Sequence, residues 1–235
     1  MSFLTRPFPT LFDPDRRRVE NLVTFAGQEG LQFSVDDPLG LVDPALALFR
    51  IGVHPHCVNV LWGTWQGLEM AEADLWFGRE QKAPAHGALR YSIAVVEFAQ
   101  DVPLPSLRIA RSGSPSEPGP RPIEFESEEF NRSFEVRCTD REFAFQLVDP
   151  RMMQWLLSVQ GQFGFQVGGR KMLVHAHHLD PSALVPLLGT AKAFHDHVPD
   201  LVFGTSARNP VSPPELPATA AGQGASPLEE AGDVG

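Results

Sequence analysis

Along the chain, apolar positions fall first at helical spacing, then in short alternating runs, then at helical spacing again. Asp13-Pro14 is followed by Val19, Leu22, Val23 and Ala26, an i, i+3, i+4 rhythm that predicts a helix ending at Gly30. Asp-Pro recurs at 37–38, 43–44, 149–150 and 180–181, and four of these five pairs open predicted helices or helical turns. The aspartate accepts the orphan N–H groups of a first turn, and proline loses nothing there. The last such helix carries Leu184, Leu187, Leu188, Ala191, Phe194, His195 and Val198 in one stripe. Pro186 lies inside it and predicts a kink or a loose first turn.

Between these helices the period changes to that of strands. Val58–Thr64 and Leu68–Phe77 flank Gln66-Gly67 as a hairpin. Tyr91–Phe98, Leu107–Ala110, Phe134–Cys138, Gly164–Val167 and Met172–His177 follow, the last two joined by Gly168-Gly169. Strands joined by tight turns, with helices before and after, predict an α+β fold. Its sheet is mainly antiparallel, with about six to eight strands and the N- and C-terminal helices on one face. The organisation expected is an extension over 1–12 and one domain over 13–207. A polar Pro/Gly/Ser loop at 112–122 interrupts the domain, and a disordered, acidic, Pro/Ala/Gly-rich tail spans 208–235.

Composition narrows the partners. With 19 Lys and Arg against 29 Asp and Glu, the 235-residue chain carries a formal charge of −10, which argues against nucleic acid as a partner. The basic run Arg16-Arg17-Arg18, beside Asp15 and Glu20, reads as a solvated helix face. No apolar stretch approaches the roughly 18 residues of a membrane span, and Met1–Thr10 has no secretory h-region, so the expected location is cytoplasmic. Cys57 and Cys138, far apart, read as buried thiols.

The segment IEFESEEFNRSFEVRCTDREFAFQLVDPRMMQWLL, Ile123 to Leu157, resembles an uncharacterised, mostly actinobacterial family known only as a domain of unknown function. The shared pattern is E-S-x-E-F-N-x-x-F-x-V, then an acidic residue, a short helix and a proline-initiated helix. It falls on Glu126, Ser127, Glu129, Phe130, Asn131, Phe134, Val136, Asp140, Pro150 and Met153. Asn59 to Gly67 and the L-D-P-x-x-L helix from Leu179 are similar in order, so the resemblance covers most of Pro14 to Val202. Many members are tethered by membrane helices, which leaves peripheral membrane association open here. Read physically, Ser127, Glu129, Phe130, Asn131 and Phe134 suit structural service. Ser127 starts a short helix, Phe130 and Phe134 pack four apart, and Asn131 bonds backbone.

Chemistry is suggested by the histidines. His175 and His177, two apart in a predicted strand, share a face. With His54 and His56 they are candidate zinc ligands for a metal-dependent hydrolase. Against this stands the absence of a phosphate loop, dinucleotide fingerprint, nucleophile elbow or H-E-x-x-H motif. No cofactor is required by any of these patterns. The leading expectation is therefore a non-enzymatic, cytosolic protein-binding or scaffolding domain, with the metal-dependent enzyme as the alternative.

Overall fold

The computed structural model describes residues 14–78, 90–99, 103–114 and 119–203. The expected extension over 1–12 and tail over 208–235 lie outside these residues, as does the 115–118 part of the 112–122 loop. The first helix, α1 (Pro14–Glu29), ends where Gly30 takes φ 70° and Leu31 N donates to Ala26 O at 2.9 Å, the bond that closes a helix through a left-handed glycine. Strand β1 (Gln32–Ser34) follows, then an irregular stretch with one 3-10 turn at Ala47–Arg50. Strands β2 (Val53–Trp65) and β3 (Leu68–Gly78) form a hairpin whose corner, Gln66-Gly67, has both φ values positive, the twist that antiparallel partners need.

Next come β4 (Arg90–Glu97), β5 (Leu104–Arg111), β6 (Pro122–Ile123), α2 (Glu128–Ser133), β7 (Phe134–Cys138), α3 (Arg141–Leu147) and α4 (Pro150–Ser158). The β8 (Gly164–Gly169) and β9 (Lys171–His177) hairpin leads into a 3-10 turn at Pro181–Ala183. Helix α5 (Leu184–His197) and a last turn at Asp200–Phe203 complete the described chain. All strands join one antiparallel sheet in the order β1-β2-β3-β4-β9-β8-β5-β7-β6. The late hairpin β8–β9 is thus inserted between β4 and β5 and welds two halves of the sheet together.

The fold is α+β with one antiparallel sheet. Among the described residues it has nine strands, not six to eight, because β1 and β6 are three and two residues long. The second hairpin also turns one residue later than expected. Gly168 pairs with Lys171, so Gly169 (φ 59°) and Arg170 form the corner. Gly168 is kept in the strand by close packing: a Cβ there would stand 2.6 Å from Ala45 O. The loose start expected at Pro186 is the 3-10 turn ahead of α5.

Buried apolar residues form two clusters. One joins residues of all five helices, among them Leu22, Phe130, Leu147, Leu156 and Phe194, to the strand residues Leu61, Val96, Leu107 and Val174. The other sets Leu41, Leu46, Leu48 and Phe49 of the irregular stretch against Val60, Leu75, Ile93 and Leu173. The Leu48 N–H that this stretch buries is satisfied by Gln166 Oε1 of β8 at 2.9 Å.

Candidate functional site

Two regions concentrate chemistry that a core alone does not require. The first is a charged cluster beneath α1. Alternation along β3 places Glu72 and Asp74 on the same side of the sheet as Met70, toward α1. Arg18 reaches down from α1 and grips the Asp74 carboxylate with two bonds, Nε to Oδ2 at 2.7 Å and Nη2 to Oδ1 at 2.5 Å. Its Nη1 donates to Leu179 O at 2.6 Å, which ties the helix to the crossover before α5. Asn59 sits at a bulge in β2 with φ 55°, and its Nδ2 donates to Asp74 Oδ2 at 2.9 Å. His178 Nδ1 stands 3.4 Å from Asp74 Oδ1. Burial pushes the Asp74 carboxyl up, but His178, Arg18 and Asn59 more than reverse this, and it lies below the ordinary carboxylate value.

Glu72 is the opposite case. It is 1% exposed, and neither carboxylate oxygen has a hydrogen-bond partner among the described residues. Burial first, and the neighbouring Asp74 charge second, hold its pKa well above the ordinary value, against the pull of Arg18. Burial and the Asp74 charge thus favour the protonated form of Glu72, whereas the partners of Asp74 favour its ionised form. The basic run at 16–18 is thus not all solvated face. Arg16 pairs with Glu20 at the surface and Arg17 is exposed, whereas Arg18 is turned inward to a partner 56 residues away.

The second region lies at the other end of the sheet, where α3 meets the last turn. An open depression of about 690 Å³ has Phe145, Pro199 and Leu201 as its apolar lining and Arg141, Glu142, Gln146 and Asp149 as its polar lining. Phe145 is 42% exposed and Leu201 69%. Single exposed apolar side chains are ordinary, but two large ones in one concavity are not. Arg141 lies over the Phe145 ring at 5.2 Å.

The family-like motif builds the support for this depression. Asp140 caps α3 by accepting from Phe143 N at 3.1 Å, and Ser127 caps α2 by accepting from Phe130 N at 3.2 Å. A line of rings then runs from the core to the surface. Phe134 stacks on Phe130 (5.3 Å), Phe130 meets Phe125 edge-on (5.5 Å), and Phe125 meets Phe145 edge-on (5.1 Å). Asn131 fixes the third ring from both sides, its Oδ1 accepting from Phe125 N at 3.0 Å and its Nδ2 donating to Phe125 O at 2.8 Å. Both ends of the Asn131 amide are thereby committed, and Glu129 is exposed on α2.

The four histidines do not come together. His54 and His56 are exposed on β2, whereas His175 and His177 lie on β9, with β3 and β4 between them. The registers put His56 beside Trp76 and His175 beside Ile93, which face opposite sides of the sheet. No group of three or more His, Cys, Asp or Glu side chains is placed to hold a metal among the described residues. His177 stacks on Tyr91 at 5.3 Å. The His175 ring covers Gly164, where a Cβ would meet its Nε2 at 2.3 Å. Burial, Arg108 and then His177 push the His175 pKa down to about 3, so the ring is neutral. Cys57 and Cys138 are free, buried thiols whose pKa values burial raises, that of Cys57 to about 12.

Two of the residues that matter most in these regions, Arg18 and Phe145, were not among the sequence candidates. Phe145 had a readable signal. Phe143 and Phe145 are two apart on a helix and cannot both face the core, and Phe143 is the buried one. Arg18 had none, because its partner is distant in sequence.

Fold and site together define an α+β domain on one broad antiparallel sheet, with an open apolar depression and a closed ionic cluster. No family profile matches the chain, and no curated protein matches it. Among solved structures, the crystal structure of the mycobacterial trehalose monomycolate transport factor A, TtfA, is similar at TM-score 0.56 and 15% identity. The match covers 84% of this chain and 99% of that one. At that identity the likeness is one of fold alone. Among the described residues, no helix is long and apolar enough to cross a membrane.

Proposed function

We propose that this chain is a non-enzymatic protein-binding or scaffolding domain that meets its partner at the α3 depression. The observation that carries the reading is the pairing of Phe145 and Leu201, two large exposed apolar side chains in one concavity. Behind Phe145 stands a chain of buried rings that fixes its position. A rigid, preset aromatic anchor gains contact area without a large loss of conformational freedom on binding, which is the usual chemistry of interface hot spots. Membership of the actinobacterial family whose motif builds this support belongs to the same reading, as do a cytosolic setting and peripheral association with a membrane assembly. A fold shared with a mycobacterial protein named as a transport factor is in keeping with them.

The test is differential capture from host extract by the full chain and by its Leu201→Ser and Phe145→Ser variants. The reading expects a partner held by the parent chain and reduced at least tenfold with either variant. Equal recovery by all three chains would remove the depression from the account.

A further inference from the structure

We propose that the depression is occupied, in the free protein, by the Pro-rich segment Val211–Pro217 of the same chain; this rests on the reading of the depression as a docking surface. Four observations lead there. The described chain ends at Phe203, two residues past the lining residue Leu201, and 32 further residues, 204–235, follow in the sequence. Only 204–210 separate Phe203 from Val211, and seven residues reach up to about 25 Å when extended, enough to fold back without strain.

The sequence Val211-Ser212-Pro213-Pro214-Glu215-Leu216-Pro217 then supplies two apolar side chains and three prolines. Such a sequence loses little conformational entropy on docking against an aromatic-lined groove. One charge pair is available as well: Glu215 is the acid within the Pro-rich stretch, and Arg141 is the base in a lining that also carries Glu142 and Asp149.

Attachment decides the occupancy. A covalent link of this length presents its segment at an effective concentration on the order of millimolar, so even a millimolar contact is substantially filled. The segment then competes with the partner, and partner binding displaces it. The domain carries its own weak inhibitor.

The experiment compares the full chain with a full-chain variant bearing Val211→Ser and Leu216→Ser together. Both changes lie in the tail and leave the packed domain untouched. Amide hydrogen exchange over 141–147 is the readout. The expected result is exchange at least threefold faster in the variant, restored by adding a synthetic peptide of the unsubstituted residues 209–219. Partner capture by the same variant should rise. Identical exchange in the two chains, with no response to the peptide, overturns tail occupancy. The docking reading has its own readout in the Leu201→Ser capture, so it can stand when tail occupancy fails.

Discussion

The ionic cluster under α1 and the depression beside α3 use their residues in opposite ways. Under α1, charged groups are taken out of water and matched: Asp74 is fully buried and receives Arg18 and Asn59, and Arg18 also holds Leu179 O. Beside α3, apolar groups are left in water and unmatched, although buried rings support them. A buried charge matched by Arg18 and Asn59, as Asp74 is, holds elements together. An exposed apolar side chain fixed from behind adds little to the fold and is available to another surface. The contrast teaches where to look for function: in the region whose groups lack partners on the outside.

Substitutions in the two regions should therefore separate stability from binding. The largest effect is expected from Arg18→Ala. It leaves the Asp74 carboxylate buried without its principal counter-charge, which costs about 3 to 5 kcal/mol in denaturant unfolding. A loss below about 1 kcal/mol would place the cluster among weak surface pairs.

Glu72→Gln comes next and has a pH signature. Because the folded-state pKa of Glu72 is raised, the folded chain holds a proton that the unfolded chain releases. Stability then falls as pH rises from about the ordinary carboxyl pKa toward the raised value, by about 1.4 kcal/mol per pH unit. Gln removes this dependence, so the advantage of the variant over the parent should widen with pH across that window. Parallel pH–stability curves would show Glu72 to be ionised in the fold. Asp74 acts in the reverse sense. Its lowered pKa contributes stability above the ordinary value that is lost as acid titrates it through the folded-state pKa.

Asn131→Ala tests the support of the depression, since it unpairs Phe125 N and Phe125 O and loosens the ring behind Phe145. A loss of about 1 to 3 kcal/mol is expected, with faster exchange at the Phe125 amide. The smallest stability effect belongs to Leu201→Ser, within about 0.5 kcal/mol of the parent by thermal melting. A large loss there would make Leu201 part of the core and close the comparison.

Much of the local structure was legible because it is encoded locally. Asp149 caps α4 through Met152 N, Ser127 caps α2, Gln66-Gly67 turns the first hairpin, and Phe130 and Phe134 stack as their spacing requires. What escaped was encoded across the chain. Strands β1 and β6 are too short for periodicity to register and exist because β2 and β7 offer edges to pair with. Arg18 looks like its neighbours until Asp74 is brought under it. The histidines looked convergent because strand alternation gives the face of each residue but not the number of strands between two of them. The depression was the least legible, since Leu201 and Phe145 meet only through the packing of the last turn on α3.

The most direct measurement places a photoactivatable residue at position 145 of the full chain, with a second chain carrying it at the exposed Val185 of α5 as the reference. In host extract, the account expects a discrete partner adduct from position 145 and none from 185. The same adduct from both positions, or none from 145, would contradict a docking surface at the depression.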